Sequence, residues 1–328
     1  MGITDKRIPW IDMARGLCMM AILFFHTECY YCGEEVIPYV AFAGNAAITF
    51  FFISGYVFAR PGAAFTARRK LRSILTGLVI PYFIFTALIA LPKTLVHDGL
   101  SVADAFTDII TGHATWFVPA LIVCQLLFML LLTVCKGREH MLAAGCALPF
   151  VAMALLYHTL DGSRLAQANL WCWQNACLML FFFYVGYALR QREKLTAPLR
   201  RNDVLVALLL TVVGMKTVEC LSGASLTVEP IHVTSFTLLL IDGLLFALLL
   251  CAACQRLPRM ALVEYTGEHS LYYYFICGGV PMMVSRALGW CQLPYEGRLW
   301  TLAVAFVGVV IVATAIVWLI NLVKKKFF

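Results

Sequence analysis

Charged side chains are scarce in this sequence. Only 13% of its 328 residues are Asp, Glu, Lys or Arg, while 62% are hydrophobic; a soluble domain carries about a quarter charged residues. This scarcity excludes a soluble globular surface. A helix needs roughly 20 mainly apolar residues to cross a bilayer, and such stretches recur along the whole chain. The sequence therefore predicts an all-α polytopic membrane bundle of about ten transmembrane helices. We expect residues 1–328 to form a single membrane domain with no separate soluble domain.

A cleavable signal sequence is also lacking. The first apolar stretch contains Asp12, Arg15 and His26 and has no small-residue cleavage pattern, so we interpret it as a retained span.

Ligand sets for a metal are lacking as well. The 13 cysteines lie mostly in apolar segments, and neither CxxC pair has a second pair of ligands. The two pairs are Cys29 with Cys32 and Cys251 with Cys254. We therefore expect no metal and no disulfide framework.

The charge between the apolar stretches predicts the topology. Alternate gaps hold about nineteen of the 25 basic residues, so the positive-inside rule assigns these gaps to the cytoplasm. Both termini then lie in the cytoplasm, and the chain is a multi-pass protein of the cell membrane.

The net charge of +7 does not indicate nucleic-acid binding, because the basic residues flank spans. The predicted spans lie near residues 9–30, 39–60, 74–96, 115–135, 140–158, 170–190, 203–221, 233–254, 262–284 and 299–323. The basic gaps hold Lys6 and Arg7; Arg60, Arg68, Arg69, Lys70 and Arg72; Lys136 and Arg138; Arg190, Arg192, Lys194, Arg200 and Arg201; Arg256 and Arg259; and Lys324, Lys325 and Lys326.

Arg15 and His26 are the most informative polar residues inside a span. They are eleven residues apart, which on a helix is three turns plus about 20°, or roughly 16 Å along the axis. One helix face thus presents a fixed cation and then an imidazole. That stripe suits a long anionic molecule that enters from the cytoplasm and extends its reactive end to His26, the side chain best suited to accept a proton near neutral pH.

A structural alternative exists for the same two residues. Arg15 would pair with Asp12 at i,i+3 near the interface, and His26 would hydrogen-bond a neighbouring helix. The spacing alone leaves both interpretations open.

Further along, ordered motifs resemble those of the acyltransferase-3 family of membrane acyltransferases over almost the full length. The motifs are RIPWIDMARG at 7–16 followed by His26, FFISGY at 51–56, RRKLR at 68–72 running to Pro81-Tyr82, WFVPAL at 116–121, FFYVGY at 182–187 and YTGEHSL at 265–271 through Tyr274. One departure is Cys277, where many relatives have a histidine. The resemblance implies that this histidine's role is missing here or is supplied by His269.

The resemblance also implies an activity and its residues. His26 becomes the expected catalytic base, and Arg15 a group required for donor binding or site geometry, with Asp12 beside it. The family uses an acyl-CoA donor, here expected to be acetyl-CoA, and modifies hydroxyl-bearing acceptors such as carbohydrates. A covalent acyl-histidine intermediate stays an alternative to direct transfer.

A basic cluster on the cytoplasmic side is a second candidate site. Arg68, Arg69 and Arg72 can bind CoA phosphates through charge-assisted hydrogen bonds, or serve only as a topology signal. Arg69 and Arg72 match an Arg-x-x-Arg element of the family, which favours donor binding.

Other polar residues have both structural and functional interpretations. Ser54 precedes Gly55, a pairing typical of close helix contacts, and Asn45 either orients an acceptor or bonds between helices. Trp116 is an interfacial anchor or a platform for a sugar ring. Lys216 and Glu219 are expected to neutralise each other, and Asp242 to be protonated or paired across the bundle. His113 is expected to be a solvated loop residue.

These observations predict a membrane O-acetyltransferase that moves an acyl group from cytoplasmic acyl-CoA to a hydroxyl of a cell-surface carbohydrate or its lipid-linked precursor. The expected partners are therefore acyl-CoA, a carbohydrate acceptor and the lipid bilayer. The main alternative is a transporter or polymer-export protein, since kinked helices around buried charge suit alternating access. A non-catalytic membrane subunit is a third possibility, and it would leave His26 and Arg15 without importance.

Overall fold

The computed structural model describes residues 8–62, 65–96, 101–160, 165, 168–192 and 196–327. Within these ranges the chain is mainly helical, which confirms the predicted fold class; one short antiparallel hairpin is the exception. Lys6, Arg7 and Lys194, three of the predicted cytoplasmic residues, lie outside the described residues. The elements are α1 Pro9–Thr27, α2 Tyr39–Phe42, α3 Gly44–Tyr56, α4 Ala67–Ile74, α5 Ile80–Val96, α6 Val102–Thr111, α7 Phe117–Cys135, α8 Glu139–Thr159, α9 Trp173–Gln191, α10 Asn202–Ser222, β1 Leu226–Val228, β2 Ile231–Val233, α11 Phe236–Cys254, α12 Ala261–Glu268, α13 Ser270–Ile276, α14 Gly279–Trp290 and α15 Leu299–Phe327.

Seven helical segments in the described ranges are long and apolar enough to cross a membrane. They match seven of the predicted spans. The other predicted spans lie near 9–30, 39–60 and 262–284. In the first, the regular helix α1 is followed by a π turn; in the second, α2 and α3 are separate helices; in the third, the chain bends between α12 and α13 at His269. The seven segments are Ala67–Ala90, Phe117–Cys135, Glu139–Thr159, Leu170–Gln191, Asn202–Ser222, Phe236–Cys254 and Leu299–Lys326.

The chain forms two compact units. Unit 1 comprises residues 1–50, 199–224 and 242–328, and unit 2 comprises residues 51–198 and 225–241.

In unit 1, α1 packs on α12 through two glycines. A Cβ at Gly16 would overlap the Val263 carbonyl, and a Cβ at Gly267 would overlap the Asp12 carbonyl. Small residues let helix backbones approach closely in membranes, where the hydrophobic effect does not drive helix association. This contact fixes α1, the helix of Arg15 and His26, against the YTGEHSL motif.

The segment α12–α14 follows α1 in the same direction. Gly267 touches α1 at Asp12, whereas Ser285 of α14 donates a hydrogen bond to the Tyr30 carbonyl beyond the end of α1, at 2.8 Å. This agrees with the predicted topology, in which the first and ninth spans cross the membrane in the same sense.

Helix α15 runs in the opposite direction along α12 and α13. Tyr265 of α12 accepts a hydrogen bond from Asn321 at 3.2 Å, and Tyr273 of α13 donates one to Thr314 at 2.8 Å. Residues later in α12 and α13 thus contact residues earlier in α15. The two segments are therefore antiparallel, as expected for consecutive spans.

A buried polar cluster joins α3, α10 and α11 in unit 1. Lys216 donates to Asp242 at 2.5 Å and to Glu219 at 2.9 Å, and Asn45 donates to Asp242 at 2.6 Å. Both carboxyl groups are fully buried. The predicted Lys216–Glu219 pair is confirmed, and Asp242 is paired across the bundle.

In unit 2, α9 and the end of α3 form a second glycine contact. A Cβ at Gly55 would overlap the Phe183 carbonyl, and one at Gly186 would overlap the Phe52 carbonyl. The close helix contact expected from the Ser54-Gly55 pair is therefore confirmed. Further along both helices, Arg190 bonds the Tyr56 hydroxyl at 3.3 Å, so the two segments run in the same direction.

The β hairpin of unit 2 is attached to the start of α9. Asn175, which is fully buried, donates to the Val228 carbonyl at 2.5 Å and to Glu229 at 2.8 Å, and it accepts a hydrogen bond from Asn169 at 2.7 Å. Burial raises the pKa of Glu229 above its usual range, while the Asn175 amide and nearby His113 oppose this rise. His113 itself is exposed, as expected.

Glu229→Gln is expected to change the pH dependence of stability. The folded protein binds the Glu229 proton more tightly than the unfolded chain does. Protonated Glu229 therefore contributes its full stabilisation at pH values below the pKa of the unfolded chain. This contribution is lost as the pH rises through the pKa of the folded protein. Glutamine stays neutral, so the variant should melt above wild type at neutral pH and equal it in acid. Thermal unfolding in detergent between about pH 4 and about pH 8 measures this. Glu296→Gln, at an exposed position, is the control; parallel melting curves of Glu229→Gln and wild type at every pH would contradict the prediction.

Candidate active site

Helix α1 carries both principal candidates on one uninterrupted helix. Pro9 opens it, where the missing N–H costs no hydrogen bond, and Asp12 lies in its first turn, where the helix dipole favours a carboxylate. Arg15 and His26 are both half-buried. Their placement on one regular helix gives the three-turn separation of roughly 16 Å that the sequence predicts. Asp12 and Arg15 both have interaction partners in the structure.

The His26 imidazole lies beside an aromatic ring. Its centroid is 5.4 Å from that of Phe25, which packs in turn on Tyr39 at 4.5 Å. No hydrogen bond to the imidazole is found within the described part of the chain. A neutral imidazole in this setting has a nitrogen lone pair available to accept a proton from a bound hydroxyl.

A π turn, Glu28–Cys32, follows α1 directly. Such turns are rare and occur frequently at functional sites. Glu28 is fully buried; one carboxylate oxygen accepts the Ile37 N–H at 3.0 Å, and the other has no hydrogen-bond partner among the described residues. We did not single out Glu28 from the sequence, although an acidic residue two positions after His26 at the end of an apolar stretch was a usable signal.

Cys277 lies at the level of this π turn. It is buried, and the next residue, Gly278, lies against the Tyr30 hydroxyl. The structure thus places Cys277 near the end of α1 that carries His26. Among the described residues, no group of three or more His, Cys, Asp or Glu side chains could hold a metal ion.

His269 lies far from that end of α1. It follows Gly267 by two residues, and Gly267 contacts Asp12 at the start of the helix. Its Nδ1 is 2.9 Å from the Tyr265 carbonyl oxygen, which can only accept, so Nδ1 carries the proton. Nε2 is 3.8 Å from Glu268. Since His269 lies two residues past the Gly267 contact at the start of α1, whereas His26 lies in the last turn of α1, direct substitution of His269 for the histidine replaced by Cys277 lacks geometric support.

The basic cluster is exposed on α4. Arg68, Arg69 and Arg72 are all exposed, whereas the Lys70 ammonium lies 3.9 Å from the centroid of the Phe58 ring. The three arginines are therefore accessible to an anionic ligand, and the structure is compatible with both of their interpretations.

The remaining candidates, Ser54, Trp116 and Asn45, differ in burial and in hydrogen bonding. Ser54 is half-buried beside the Gly55 contact, and Trp116 is half-buried at the start of α7, with its ring edge-on to Phe117. Asn45 is buried and bonds Asp242, the structural alternative considered for it. Acceptor binding by any of the three stays a prediction.

The candidate residues named from the sequence belong to both units, and each unit contains its own set of them. Unit 1 contains Asp12, Arg15, His26, Asn45 and His269, and the described residues of unit 2 include Ser54, Arg68, Arg69, Arg72 and Trp116. Within unit 1, Asp12, Arg15 and His26 are positioned by one helix.

Apolar helices long enough to span a membrane, together with a helix that carries a half-buried arginine and histidine, are typical of a multi-pass membrane protein with a functional site inside a span. The comparison with protein families then identifies the chain: it belongs to the acyltransferase-3 family, whose model, described as an acyltransferase domain, matches residues 8–322. The protein is thus a membrane acyltransferase. No curated protein and no solved structure gives a significant match.

Proposed function

We propose that this protein is a membrane O-acetyltransferase, which transfers the acetyl group of cytoplasmic acetyl-CoA to a hydroxyl of a cell-surface carbohydrate or its lipid-linked precursor. The observation that carries the proposal is the placement of Arg15 and His26 on one uninterrupted helix in a chain of an acyltransferase family. Both termini face the cytoplasm in this proposal, because the basic gaps lie on that side.

His26 acts as the general base. It takes the proton of the acceptor hydroxyl as the oxygen attacks the thioester carbonyl carbon. The new C–O bond forms, the C–S bond breaks, and the proton passes from the imidazolium to the departing CoA sulfur. This transfer needs neither a metal ion nor a redox cofactor, because every bond broken and every proton moved is accounted for.

Arg15 anchors the donor. A guanidinium presents a planar fork of N–H donors that binds a phosphate or carboxylate through two hydrogen bonds. Arg68, Arg69 and Arg72 supply further positive charge for the CoA phosphates, and their exposure on α4 supports this role.

The direct test uses purified protein with labelled acetyl-CoA and a panel of glycans. Label in the glycan supports the proposal, and hydrolysis with a base should release it as acetate. Absence of transfer to every acceptor, with the protein folded and acetyl-CoA bound, would overturn it.

The transporter alternative is favoured by one observation, the buried Lys216–Glu219–Asp242 cluster. Ionisable groups inside spans often mark ion or substrate pathways. Proteoliposomes loaded with labelled glycan distinguish the two functions, because a transporter moves the glycan across the bilayer without acetyl-CoA.

Arg15→Lys should remain impaired although it keeps its charge. Lysine is a point charge and reproduces the two-bond fork poorly, so acyl-CoA affinity should fall by about 1–3 kcal/mol, while acceptor binding changes little. Isothermal titration with acetyl-CoA measures the loss.

The structural alternative for Arg15 makes the opposite prediction. If Arg15 only neutralises Asp12, Arg15→Lys is nearly silent, and Asp12→Asn combined with Arg15→Gln restores the activity lost in either single variant. Unchanged donor affinity in Arg15→Lys would rule out the anchor role.

A further inference from the structure

A cavity of about 560 Å³ lies between α12 and the end of α15. Its volume falls within the range of about 300–1,000 Å³ that is usual for small-molecule sites. The cavity belongs entirely to unit 1 and is on the side that the basic residues assign to the cytoplasm. Its lining consists of Tyr265, Glu268, His269, Trp318, Asn321, Leu322, Lys324 and Lys325.

The cations of the lining favour an anion. Lys324 and Lys325 are exposed and border the cavity, and only one carboxylate, Glu268, opposes them. Lysine is a common binder of phosphate in proteins. The Nε2 atom of His269 is a hydrogen-bond acceptor, because Nδ1 carries the proton that is donated to the Tyr265 carbonyl; it can therefore bind an N–H or O–H group of the ligand but not the anion itself.

The aromatic residues of the lining favour a planar group. Trp318 lines the cavity and is 54% exposed, so its indole offers an aromatic surface there. Asn321, which donates to the Tyr265 hydroxyl, and Glu268 offer hydrogen-bond acceptors to ring N–H groups or sugar hydroxyls. Phosphate-binding cations, a stacking surface and acceptors together match a phosphorylated nucleoside better than a simple anion.

The position of the cavity relative to α1 matches the proposed reaction. Glu268 and His269 directly follow Gly267, which contacts α1 at Asp12. The cavity therefore lies at the level of the first turns of α1 along the helix axis, although its lining comes from α12, α15 and His269 alone. His26 lies roughly 16 Å from Arg15 along α1. A ligand held at one end by its nucleoside would need a long arm to reach the imidazole.

We propose that the Tyr265–Trp318 cavity binds a phosphorylated nucleoside, and that in the reaction it holds the adenosine phosphate end of the acyl-CoA donor. Trp318 stacks on the base, Lys324 and Lys325 bind the phosphate, and the pantetheine arm extends along α1 to His26. The second part of this assignment rests on the proposed acetyltransferase function, whereas the first part does not.

Direct binding of adenosine 3′,5′-bisphosphate tests the cavity without catalysis. The protein is placed in nanodiscs of phosphatidylcholine and titrated with the nucleotide. Saturable binding is expected, weakened about tenfold by Lys325→Gln and by Trp318→Leu, since each removes one principal contact. Lys326→Gln is the matched control, because Lys326 does not line the cavity; it should change the affinity less than about twofold. Equal losses in Lys325→Gln and Lys326→Gln would show a general charge effect and overturn the site.

A lipid headgroup is the other source of a phosphate. The titration is therefore repeated in nanodiscs with phosphatidylglycerol, and native mass spectrometry counts retained lipids. Unchanged nucleotide affinity supports the proposal. Loss of nucleotide binding, together with a retained lipid that Lys325→Gln releases, would make the cavity a lipid site and overturn it.

The nucleoside site and the proposed acetyltransferase function can be overturned by different results. Acetyl transfer that is undiminished in Lys325→Gln and Trp318→Leu, with no bisphosphate binding, overturns the cavity and leaves the proposed function intact. Bisphosphate binding that depends on both residues, without transfer to any acceptor, overturns the proposed function and supports the nucleoside site.

Discussion

His26→Ala should abolish measurable acyl transfer. A positioned general base contributes about 10²- to 10⁴-fold to a rate, and no other histidine among the described residues shares the stripe with Arg15 on α1. The fold should persist, because the imidazole is half-buried and packs beside Phe25 without a hydrogen bond in the described part of the structure. Turnover of labelled acetyl-CoA by purified, monodisperse protein measures the effect.

Two controls make this result interpretable. His158→Ala removes an exposed histidine at the end of α8, and Cys277→Ala removes a buried thiol that we interpret as packing. Both should keep near-normal turnover. If well-folded His26→Ala turned over at the same rate as His158→Ala, the catalytic assignment would fail. A loss in Cys277→Ala as deep as that in His26→Ala would instead make the thiol a candidate nucleophile.

Lys216→Met should be the most destabilising of the substitutions considered. The ammonium group is the shared partner of Glu219 and Asp242, both of which are fully buried. Removing one partner of a buried ion pair costs about 3–5 kcal/mol, because it leaves an uncompensated charge, and here two carboxyl groups lose their cation. Thermal unfolding followed by size-exclusion chromatography should show a lower melting temperature and more aggregate.

Neutralising the carboxyl groups should rescue this variant. The triple change Lys216→Met, Glu219→Gln and Asp242→Asn removes all charge from the cluster and keeps a hydrogen-bond acceptor for Asn45, so it should recover most of the lost stability. Glu219→Gln alone should be mild, since Lys216 keeps Asp242. A triple variant no more stable than Lys216→Met would show that the lysine acts by packing rather than by charge.

The sequence predicts local features of this protein well and tertiary partners poorly. The helical class, most of the spans and the Lys216–Glu219 pair depend on composition and on i,i+3 spacing, which a single chain reveals. The partners of Asp242 lie 26 and 197 residues away along the chain, so no periodicity points to them. The bend at His269 was also unexpected, because the predicted span 262–284 runs through it and no proline lies at that position.

In the candidate site, too, local features were predictable from the sequence and tertiary partners were not. The Arg15–His26 stripe was predictable because both residues lie on one helix and need only helix geometry to be placed. Glu28 and the Trp318 cavity were not predicted, since the first depends on how the chain folds back at Ile37 and the second on two helices that are distant in sequence. Helix geometry therefore allowed the candidate residues Arg15 and His26 to be placed from the sequence, whereas only packing revealed Glu28 and the cavity.

The Gly16–Gly267 contact also has a consequence for biosynthesis. Helix α1 leaves the ribosome about 250 residues before its partner α12, and translation at about 5–20 residues per second makes that an interval of roughly 10–50 seconds. During this time Asp12, Arg15 and the backbone around Gly16 are in the membrane without the surface against which they pack in the finished protein. The helix that carries the proposed catalytic histidine is thus synthesised well before α12 and reaches its final surroundings only after α12 has been made.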